Sequence, residues 1–472
     1  MENVIVMFPS LGMGHLISMV ELGELIITHD PSLSITILLT PTHYETTSTA
    51  NYIKTVTGTT PSITFHHLPP LHHPPHSSIP FFDLVYQLIN QYKPIVGDTL
   101  QVISEKSTIK AVILDFLSNN AFEVCRSLNI TTYYLFTGGA FSAGIMLYLR
   151  TVLPNLPGSL KDLKCYIEAP GTPPIYSRDM PLTMHDRNSD SYKNLISTSE
   201  NMAKCSGVIV NTFAGLEPRV MKALANGEYV KDGPTPPTYY VGPLIKGNSG
   251  DNNGDDKCLE WLSLQPSKSV VVLIFGSLGK LKKDQLMEIA NGLEKSEQRF
   301  LWVVRNPPPE NEKGHVFELK DPDLDELLPA GFLDRTKEKG LVVKNWAPQG
   351  EILRHESVGG FVCHCGWNSV LEAMHAGVPL VAWPLYAEQK MNRVHLVEGI
   401  KVALKLKMSE EGFVTAEELA ERLRELMEEE SGRKIRDHVL EMSVCAKAAM
   451  VDGGSSRVAI AELVESLKSV RV

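Results

Sequence analysis

The 472-residue sequence lacks the features of secreted, membrane-embedded and nucleic-acid-binding proteins. Residues 1–15 carry neither the basic region nor the long apolar region of a signal peptide, and no apolar run approaches the roughly 18 residues of a membrane span. Lys and Arg number 45 against 55 Asp and Glu, a formal net charge of −10, which disfavours nucleic acid and anionic membranes as partners. We therefore expect a cytoplasmic, monomeric protein that binds neither.

Several motifs of covalent and metal chemistry are also missing. The seven cysteines are scattered and odd in number, so a disulfide framework is not expected. Cys363 and Cys365 form a C-x-C pair with no second pair nearby, and we interpret them as small buried residues. The run His72-His73-Pro74-Pro75-His76 is interpreted as an exposed turn. No G-x-S-x-G motif is present, and no D-x-D motif with supporting ligands lies near the anion site proposed below.

What the sequence does contain is a regular alternation of short apolar runs and helical patterns. Its length favours two domains, and the alternation predicts an α/β fold with one doubly wound parallel sheet in each. The predicted strands are Asn3–Phe8, Ser34–Leu39, Ala111–Leu114, Thr132–Phe136 and Gly207–Val210, then Val270–Phe275, Phe300–Val304, Leu341–Val343, Gly360–Cys363 and Leu380–Ala382. The predicted helices are Leu16–Ile27, Phe81–Ser104, Ala140–Leu153 and Leu195–Lys204, then Gln285–Lys295, Ser369–His375, Gln389–Glu398 and Ala416–Glu429.

One segment divides the chain. Residues 246–256 are rich in Gly, Asn and Asp and contain no apolar side chain, which predicts a flexible linker. The sequence therefore predicts a first domain over 1–245 and a second over 257–455. A C-terminal helix over 456–472 is expected to pack back on the first domain.

The segment 346–389 predicts an anion site. A strand (Gly360–Cys363) runs through the turn 364–368 into a helix, so free backbone N–H groups and the positive end of the helix dipole point outward. His364, Asn368 and Ser369 can add hydrogen bonds. Because ligands of doubly wound sheets bind at the carboxyl ends of the strands, we expect a diphosphate in the cleft between the domains.

Two residues of the first half are candidates for acid–base chemistry. The first strand ends in a turn that leads to His15; the turn is similar to a dinucleotide fingerprint, but Ile17 replaces its third glycine. Asp115 directly follows another predicted strand. Asp115 can be a helix cap, or it can orient His15 as a general base, and His15 can instead be a capping or packing residue. The sequence alone leaves these alternatives open.

The segment 346–389 resembles the signature of the plant secondary-product UDP-glycosyltransferases, family-1 inverting enzymes with a GT-B fold of two Rossmann-like domains. The matching motifs are Trp346 with Gln349, HCGWNS, Glu372, AGVP and Glu388-Gln389. The similarity extends to GMGH before His15, the strand ending at Asp115, YVGPL before the linker, and FGS at 275–277. The pattern is most similar to members that glucosylate flavonoids, chalcones or other phenolics.

The resemblance implies roles for individual donor-side residues. It implies that Trp346 stacks on uracil, with the Ala347 backbone and Gln349 at its edge, and that Glu372 binds the ribose. The residues implied to hold the diphosphate are Ser277, His364, Asn368 and Ser369, and those implied to contact the sugar are Thr137, Trp367, Glu388 and Gln389. Trp367 and Gln389 favour UDP-glucose over the glucuronate and galactose donors.

The implied reaction is a single displacement in which His15, oriented by Asp115, deprotonates an acceptor hydroxyl and a β-O-glucoside forms. We expect no metal and no cofactor, with UDP-glucose as co-substrate. C-glucosylation of a polyphenol and O-glucosylation of a non-phenolic molecule such as a terpenoid remain alternatives. A Rossmann oxidoreductase and an inactive nucleotide-sugar sensor are disfavoured, by the missing glycine and by the presence of both dyad residues. The residues predicted to line the acceptor pocket are Phe116, Asn119, Phe136, Met180, His185 and Tyr386.

Overall fold

The computed structural model describes residues 1–41, 47–73, 75, 81–231, 233–246, 256–308 and 321–469. Most of the predicted linker (247–255), two residues of the histidine-rich run (74 and 76) and the end of the C-terminal helix (470–472) lie outside the described residues.

The first half forms a seven-stranded parallel sheet in the order β3-β2-β1-β4-β5-β8-β9. Its central strands are continuous apolar runs buried on both faces, as parallel strands covered by helices must be. The strands of this half are β1 (Glu2–Phe8), β2 (Leu33–Leu39), β3 (Ile63–His67), β4 (Ser107–Asp115), β5 (Thr132–Phe136), the hairpin β6 (Tyr166–Ile167) and β7 (Ile175–Tyr176), β8 (Gly207–Val210) and β9 (Thr238–Tyr240). The helices are α1 (Met13–His29), α2 (Thr47–Thr59), α3 (Phe81–Lys106), α4 (Phe122–Ser127), α5 (Ala140–Val152), α6 (Asp190–Met202) and α7 (Pro218–Ala225).

The second half forms a six-stranded parallel sheet in the order β12-β11-β10-β13-β14-β15. Its strands are β10 (Val270–Ile274), β11 (Arg299–Val304), β12 (Gly340–Lys344), β13 (Val358–Cys363), β14 (Leu380–Ala382) and β15 (Ala403–Lys405). Its helices are α8 (Asp256–Ser263), α9 (Lys283–Ser296), α10 (Leu324–Leu327), α11 (Phe332–Thr336), α12 (Gln349–Arg354), α13 (Trp367–Ala376), α14 (Gln389–Val394), α15 (Ala416–Glu428) and α16 (Glu430–Met450). A π-turn, His395–Gly399, continues α14. The predicted class, two doubly wound α/β sheets, is confirmed.

The last helix, α17 (Ser455–Ser469), leaves the second domain and packs on the first sheet. Its residues Ile460, Leu463, Val464 and Leu467 share a core cluster with β1 and β2. In the described ranges, no helix has the length and apolarity needed to cross a membrane.

The missed strands of the two large sheets lie at sheet edges, and several helices, α2 and α16 among them, were also missed. β9 and β15 have three residues each, and β3 is exposed at alternate positions, so none shows a long apolar run. Four helices begin earlier than predicted. α1 begins at Met13 and α9 at Lys283. α6 begins at Asp190, where Ser189 accepts a capping bond from the Tyr192 N–H, and α13 begins at Trp367, which places the anion-site residues in its first turn.

The order of the strands positions the functional segments. In the first sheet, the strand order reverses between the neighbours β1 and β4, and in the second it reverses between β10 and β13. Loops at such a switch point diverge and leave a crevice at the carboxyl ends of the strands. His15 and Asp115 follow the first pair, and Ser277 and His364 follow the second.

Candidate active site

His15 and Asp115 meet at the first switch point. The His15 Nδ1 lies 2.7 Å from the Asp115 Oδ2, and the carboxylate is fully buried. The second oxygen, Oδ1, accepts the Leu117 N–H at 2.9 Å and caps the 3₁₀ helix Phe116–Ala121. Asp115 is therefore both a helix cap and the partner of the imidazole.

The surroundings of the His15 imidazole favour its action as a proton acceptor. Burial lowers its pKa, but the charge and hydrogen bond of Asp115, together with the charge of Glu388, outweigh burial and raise the pKa above 6.5. Nδ1 faces the carboxylate, so the neutral ring carries its proton there and leaves Nε2 as the free base. The side chain keeps 24% of its surface exposed, and the Thr137 Oγ1 lies 3.4 Å from Nδ1. Such an imidazole can take a proton from a ligand in the cleft.

The predicted anion site lies where β13 leads into α13. Gly366 is the N-cap and has no side chain to offer, so the N–H groups of the first turn are free of intrahelical partners. The imidazole of His364 is packed between two glycines: a Cβ at Gly276 or Gly366 would lie 2.5 or 2.4 Å from its Nε2. Burial and the charge of Arg305 lower the pKa of His364 to about 4, so the ring is neutral at pH 7. Its Nδ1 is buried without a partner among the described residues.

A second group of predicted residues gathers beside this helix. The Gln349 Nε2 donates to the Ser369 Oγ at 2.9 Å and to the Glu372 Oε2 at 2.5 Å. Trp346, on the loop after β12, is 56% exposed and presents an open indole face, whereas the side chain of the neighbouring Ala347 is buried. An exposed indole beside a carboxylate and an amide is suited to stacking on a base and binding hydroxyl groups.

Trp367 requires a correction. Its indole is 5% exposed, and its Nε1–H donates to the Asn211 carbonyl of the first domain at 2.7 Å. The ring also lies against Gly139, where a Cβ would be 2.3 Å from the indole. The side chain therefore joins the domains and cannot contact a sugar; only the main-chain N–H, at the helix start, is available.

The end of the signature segment faces the dyad. Glu388 precedes α14, and burial raises the pKa of its carboxyl, which interacts electrostatically with His15. The Gln389 Oε1 accepts the N–H groups of Leu385 and Tyr386 at 2.9 and 3.0 Å, and the buried side chain also hydrogen-bonds to that of Tyr386. Asn368, from α13, reaches across the cleft and donates to the Gly14 carbonyl at 3.2 Å.

Arg305 is a residue of this site that the sequence analysis missed. Its Nη1 donates to the carbonyls of Gly276 and Ser277, both at 2.6 Å, and its Nε donates to the Asn345 carbonyl at 2.8 Å. It thereby ties the loop after β10 to the loop that carries Trp346. The side chain of Ser277 is exposed. The sequence contained one indication of this role, because Arg305 directly follows β11 at the ligand-binding edge of the sheet.

Of the predicted acceptor residues, the structure brings Phe116 beside His15, with Phe136 stacked on Phe116. Phe116 and Phe136 stack with ring centroids 4.4 Å apart, and the Phe116 ring lies 6.2 Å from that of His15. Asn119 and Met180 are each 2% exposed and belong to the interior. The Asn119 Oδ1 accepts from Tyr134 and Asn201, and its Nδ2 donates to Ser197. The structure therefore does not support their assignment to the acceptor pocket, because tertiary partners occupy the Asn119 amide and Met180 belongs to the hydrophobic core.

Two further predicted acceptor residues lie in different surroundings. His185 is half-buried, its Nε2 lies 2.9 Å from the Met180 carbonyl, and burial lowers its pKa. Tyr386 lies on the donor side: its ring centroid is 6.2 Å from that of His364, and burial raises its pKa to about 12. Its hydroxyl interacts with the Leu278 backbone and the charge of Arg305.

All seven cysteines are free, and Cys363 and Cys365 are fully buried, as interpreted from the sequence. Within the part of the chain that the structure describes, no group of three or more His, Cys, Asp or Glu side chains is arranged to hold a metal ion.

Comparison with known proteins agrees with this geometry. Residues 244–447 match the family model described as UDP-glucoronosyl and UDP-glucosyl transferase. UDP-glycosyltransferase 88B1 of Stevia rebaudiana is 58% identical over 466 residues, which cover 98% of this chain and 99% of the relative. The chain belongs to the UDP-glycosyltransferases. The anthocyanidin 5,3-O-glucosyltransferase of a hybrid rose cultivar is 48% identical over 478 residues, 99% of each chain.

Among solved structures, this UDP-glycosyltransferase is similar to Phytolacca americana UGT2 complexed with UDP-2fluoro-glucose and pterostilbene. The two share 34% identity and a TM-score of 0.88 over 99% of this chain and 100% of the other. The GT-B fold implied by the resemblance is confirmed, and the protein is a transferase enzyme.

Proposed function

We propose that this UDP-glycosyltransferase transfers glucose from UDP-glucose, with inversion, to a hydroxyl of a flavonoid, chalcone or related phenolic. The observation that carries the proposal is the His15–Asp115 contact of 2.7 Å at the first switch point. It faces Glu388 and the start of α13 across the cleft. A base is thus placed opposite a site suited to an anionic leaving group.

In the proposed reaction, the acceptor oxygen attacks the anomeric carbon of glucose while the His15 Nε2 takes its proton. The bond from that carbon to the diphosphate oxygen breaks, and UDP leaves with the bonding electrons. The proton remains on the imidazolium, which Asp115 stabilises, and the first-turn N–H groups of α13 stabilise the charge on UDP. A single displacement inverts the anomeric centre, so an α-linked donor gives a β-glucoside. We propose that no metal is required, because these N–H donors stabilise the negative charge on the departing UDP.

The donor is proposed to lie along the second domain. Trp346 stacks on uracil, and the Gln349–Ser369–Glu372 cluster binds the ribose and the adjacent phosphate. The preference for glucose is assigned to Gln389.

The acceptor class follows from the first domain and from relatives. Phe116, which lies beside His15 and stacks on the buried Phe136, offers an apolar surface for a flat ring. The rose relative is named as an anthocyanidin glucosyltransferase, and the Phytolacca americana UGT2 structure contains pterostilbene. A phenolic hydroxyl, with a pKa near 10 as in Tyr, is within reach of an imidazole base.

The test is an assay of UDP release with UDP-glucose, UDP-galactose and UDP-glucuronate against a panel of phenolics and terpenoid alcohols, with products identified by NMR. We expect a β-O-glucoside of a phenolic from UDP-glucose. His15→Ala should abolish transfer, while His29→Ala, an exposed histidine at the other end of α1, should not. Absence of UDP release with every acceptor, or full activity of His15→Ala, contradicts the proposal. An α-linked product refutes inversion, and a carbon–carbon linkage refutes O-transfer.

A further inference from the structure

A buried polar contact joins the two domains behind the proposed catalytic centre. The His395 Nε2 lies 3.1 Å from the Glu217 Oε1, and the residues are 2% and 1% exposed. A buried carboxylate is costly unless its oxygens are fully partnered. The contact therefore indicates a role beyond packing.

Glu217 also fixes the start of α5. Its Oε2 accepts the Ala140 N–H and its Oε1 accepts the Phe141 N–H, both at 2.8 Å. The N-cap, Gly139, has no side chain to perform this capping. Burial raises the pKa of Glu217, but the hydrogen bond and charge of His395 and the bond from Phe141 outweigh burial and keep the pKa low.

This capped segment leads directly to the dyad. Thr137, two residues before Gly139, lies 3.4 Å from the His15 Nδ1. Gly139 itself is enclosed by both domains: a Cβ there would be 2.3 Å from the Trp367 ring and 2.6 Å from the Glu217 Oε2. Movement of Glu217 would therefore displace the loop that contacts His15.

The local chain is shaped to hold His395. His395 begins the π-turn His395–Gly399. This conformation is rare in proteins overall, and many of its examples lie at functional sites. Gly399 leaves room for the ring, since a Cβ there would be 2.6 Å from the His395 Nδ1. The ring stacks on Phe141 at 4.3 Å with an interplanar angle of 1°. Nδ1 has no partner among the described residues, so Nε2 carries the proton and donates to Glu217.

We propose that His395 is a positioning residue that, through Glu217, holds the Thr137 loop and the dyad in register with the donor site. α14 links the donor site to His395. Glu388 and Gln389 lie at its start, and His395 follows its last residue. The inference rests on the proposed function.

Two variants test the proposal from different directions. His395→Leu removes the donor but keeps an apolar side chain against Phe141, and Gly399→Ala displaces the ring without touching Glu217. Each should lower kcat about ten- to a hundredfold, the size of effect produced by a small misplacement of reacting groups. UDP affinity should stay at the wild-type value, because the proposed nucleotide contacts all lie in the second domain. His395→Gln, which restores an N–H donor, should recover part of the loss.

A readout without turnover separates this inference from the proposed function. In hydrogen–deuterium exchange, the amides of Ala140 and Phe141 should exchange faster in His395→Leu and Gly399→Ala than in wild type. The matched controls are His29→Ala and Gly58→Ala; a Cβ at Gly58 meets nothing within 4 Å, and both variants should match wild type in kcat and exchange. Wild-type kcat and wild-type exchange in both test variants overturn the inference, as does a parallel loss of UDP affinity and Tm, which indicates a general structural role. If the wild-type enzyme transfers no glucose, the proposed function fails, while the exchange data still test the positioning of α5.

Discussion

Asp115→Asn separates the two roles of Asp115. The asparagine Oδ1 can still accept the Leu117 N–H, so the cap of the 3₁₀ helix is kept. The atom that faces the His15 Nδ1 at 2.7 Å becomes a donor. It favours the ring form with an unprotonated Nδ1, which moves the proton to Nε2, and the base that should receive the acceptor proton is then blocked.

The expected size of the effect follows from these contacts. Loss of a positioned general base costs about 10²–10⁴-fold in rate, equivalent to about 3–5.5 kcal/mol. The lost stabilisation of the imidazolium is of similar size: a hydrogen bond to a charged group contributes about 1.5–3 kcal/mol, and two unit charges about 4 Å apart near a protein surface attract by about 4 kcal/mol. We expect kcat to fall about 10²–10⁴-fold, with Tm and UDP affinity close to wild type.

The pH dependence of kcat/KM tests the direction in which the His15 pKa shifts. Transfer needs neutral His15, so kcat/KM should fall as pH drops through the His15 pKa, which lies above 6.5 in wild type. In Asp115→Asn the main influence that raises this pKa is gone and burial lowers it, so the acidic limb should move to lower pH. Initial rates of UDP release from pH 5 to 9 measure both effects, with exposed Asp98→Asn as control. A kcat within a few-fold of wild type, or a limb displaced to higher pH, would refute the dyad.

Three further predictions concern the donor site. Trp346→Ala should weaken UDP binding by about 1–3 kcal/mol in calorimetry, because its exposed indole is proposed to stack on the base; unchanged affinity would contradict that role. Trp367→Phe leaves the Asn211 carbonyl without its donor and should cost about 1–3 kcal/mol in unfolding free energy without altering the choice of sugar, whereas a changed UDP-sugar preference would restore a direct sugar role. EDTA should leave initial rates unchanged; a loss that Mg²⁺ or Mn²⁺ restores would refute metal-independent transfer.

The contact between His15 and Asp115 could not be predicted from the sequence, which placed each residue after a strand and left open whether the two side chains meet. Each residue follows a strand with a clear apolar run, and the doubly wound order makes those strands neighbours. The strand, turn and helix of the proposed anion site could be predicted, because hydrophobic period and turn chemistry indicate each element.

The exposure and the contacts of single side chains could not be predicted from the sequence pattern. Trp346 and Trp367 belong to one signature, yet one is 56% exposed and the other 5%. Asn119 was expected in the acceptor pocket, but three partners distant in sequence or in another element hold it in the interior. Burial of this kind depends on which distant elements pack together, and local pattern does not contain that information.

The domains divide the chemistry, and this explains why the signature segment describes only half of it. The proposed nucleotide contacts lie in the second domain, while the proposed base and the aromatic pair lie in the first. The proposed site needs both halves, and the contacts that join them include Asn368 to Gly14, Trp367 to Asn211, and His395 to Glu217. The first two begin in the first turn of α13, beside the proposed phosphate site. Because the same turn serves the leaving group and the opposite domain, occupancy by UDP-glucose and closure of the cleft are expected to be coupled.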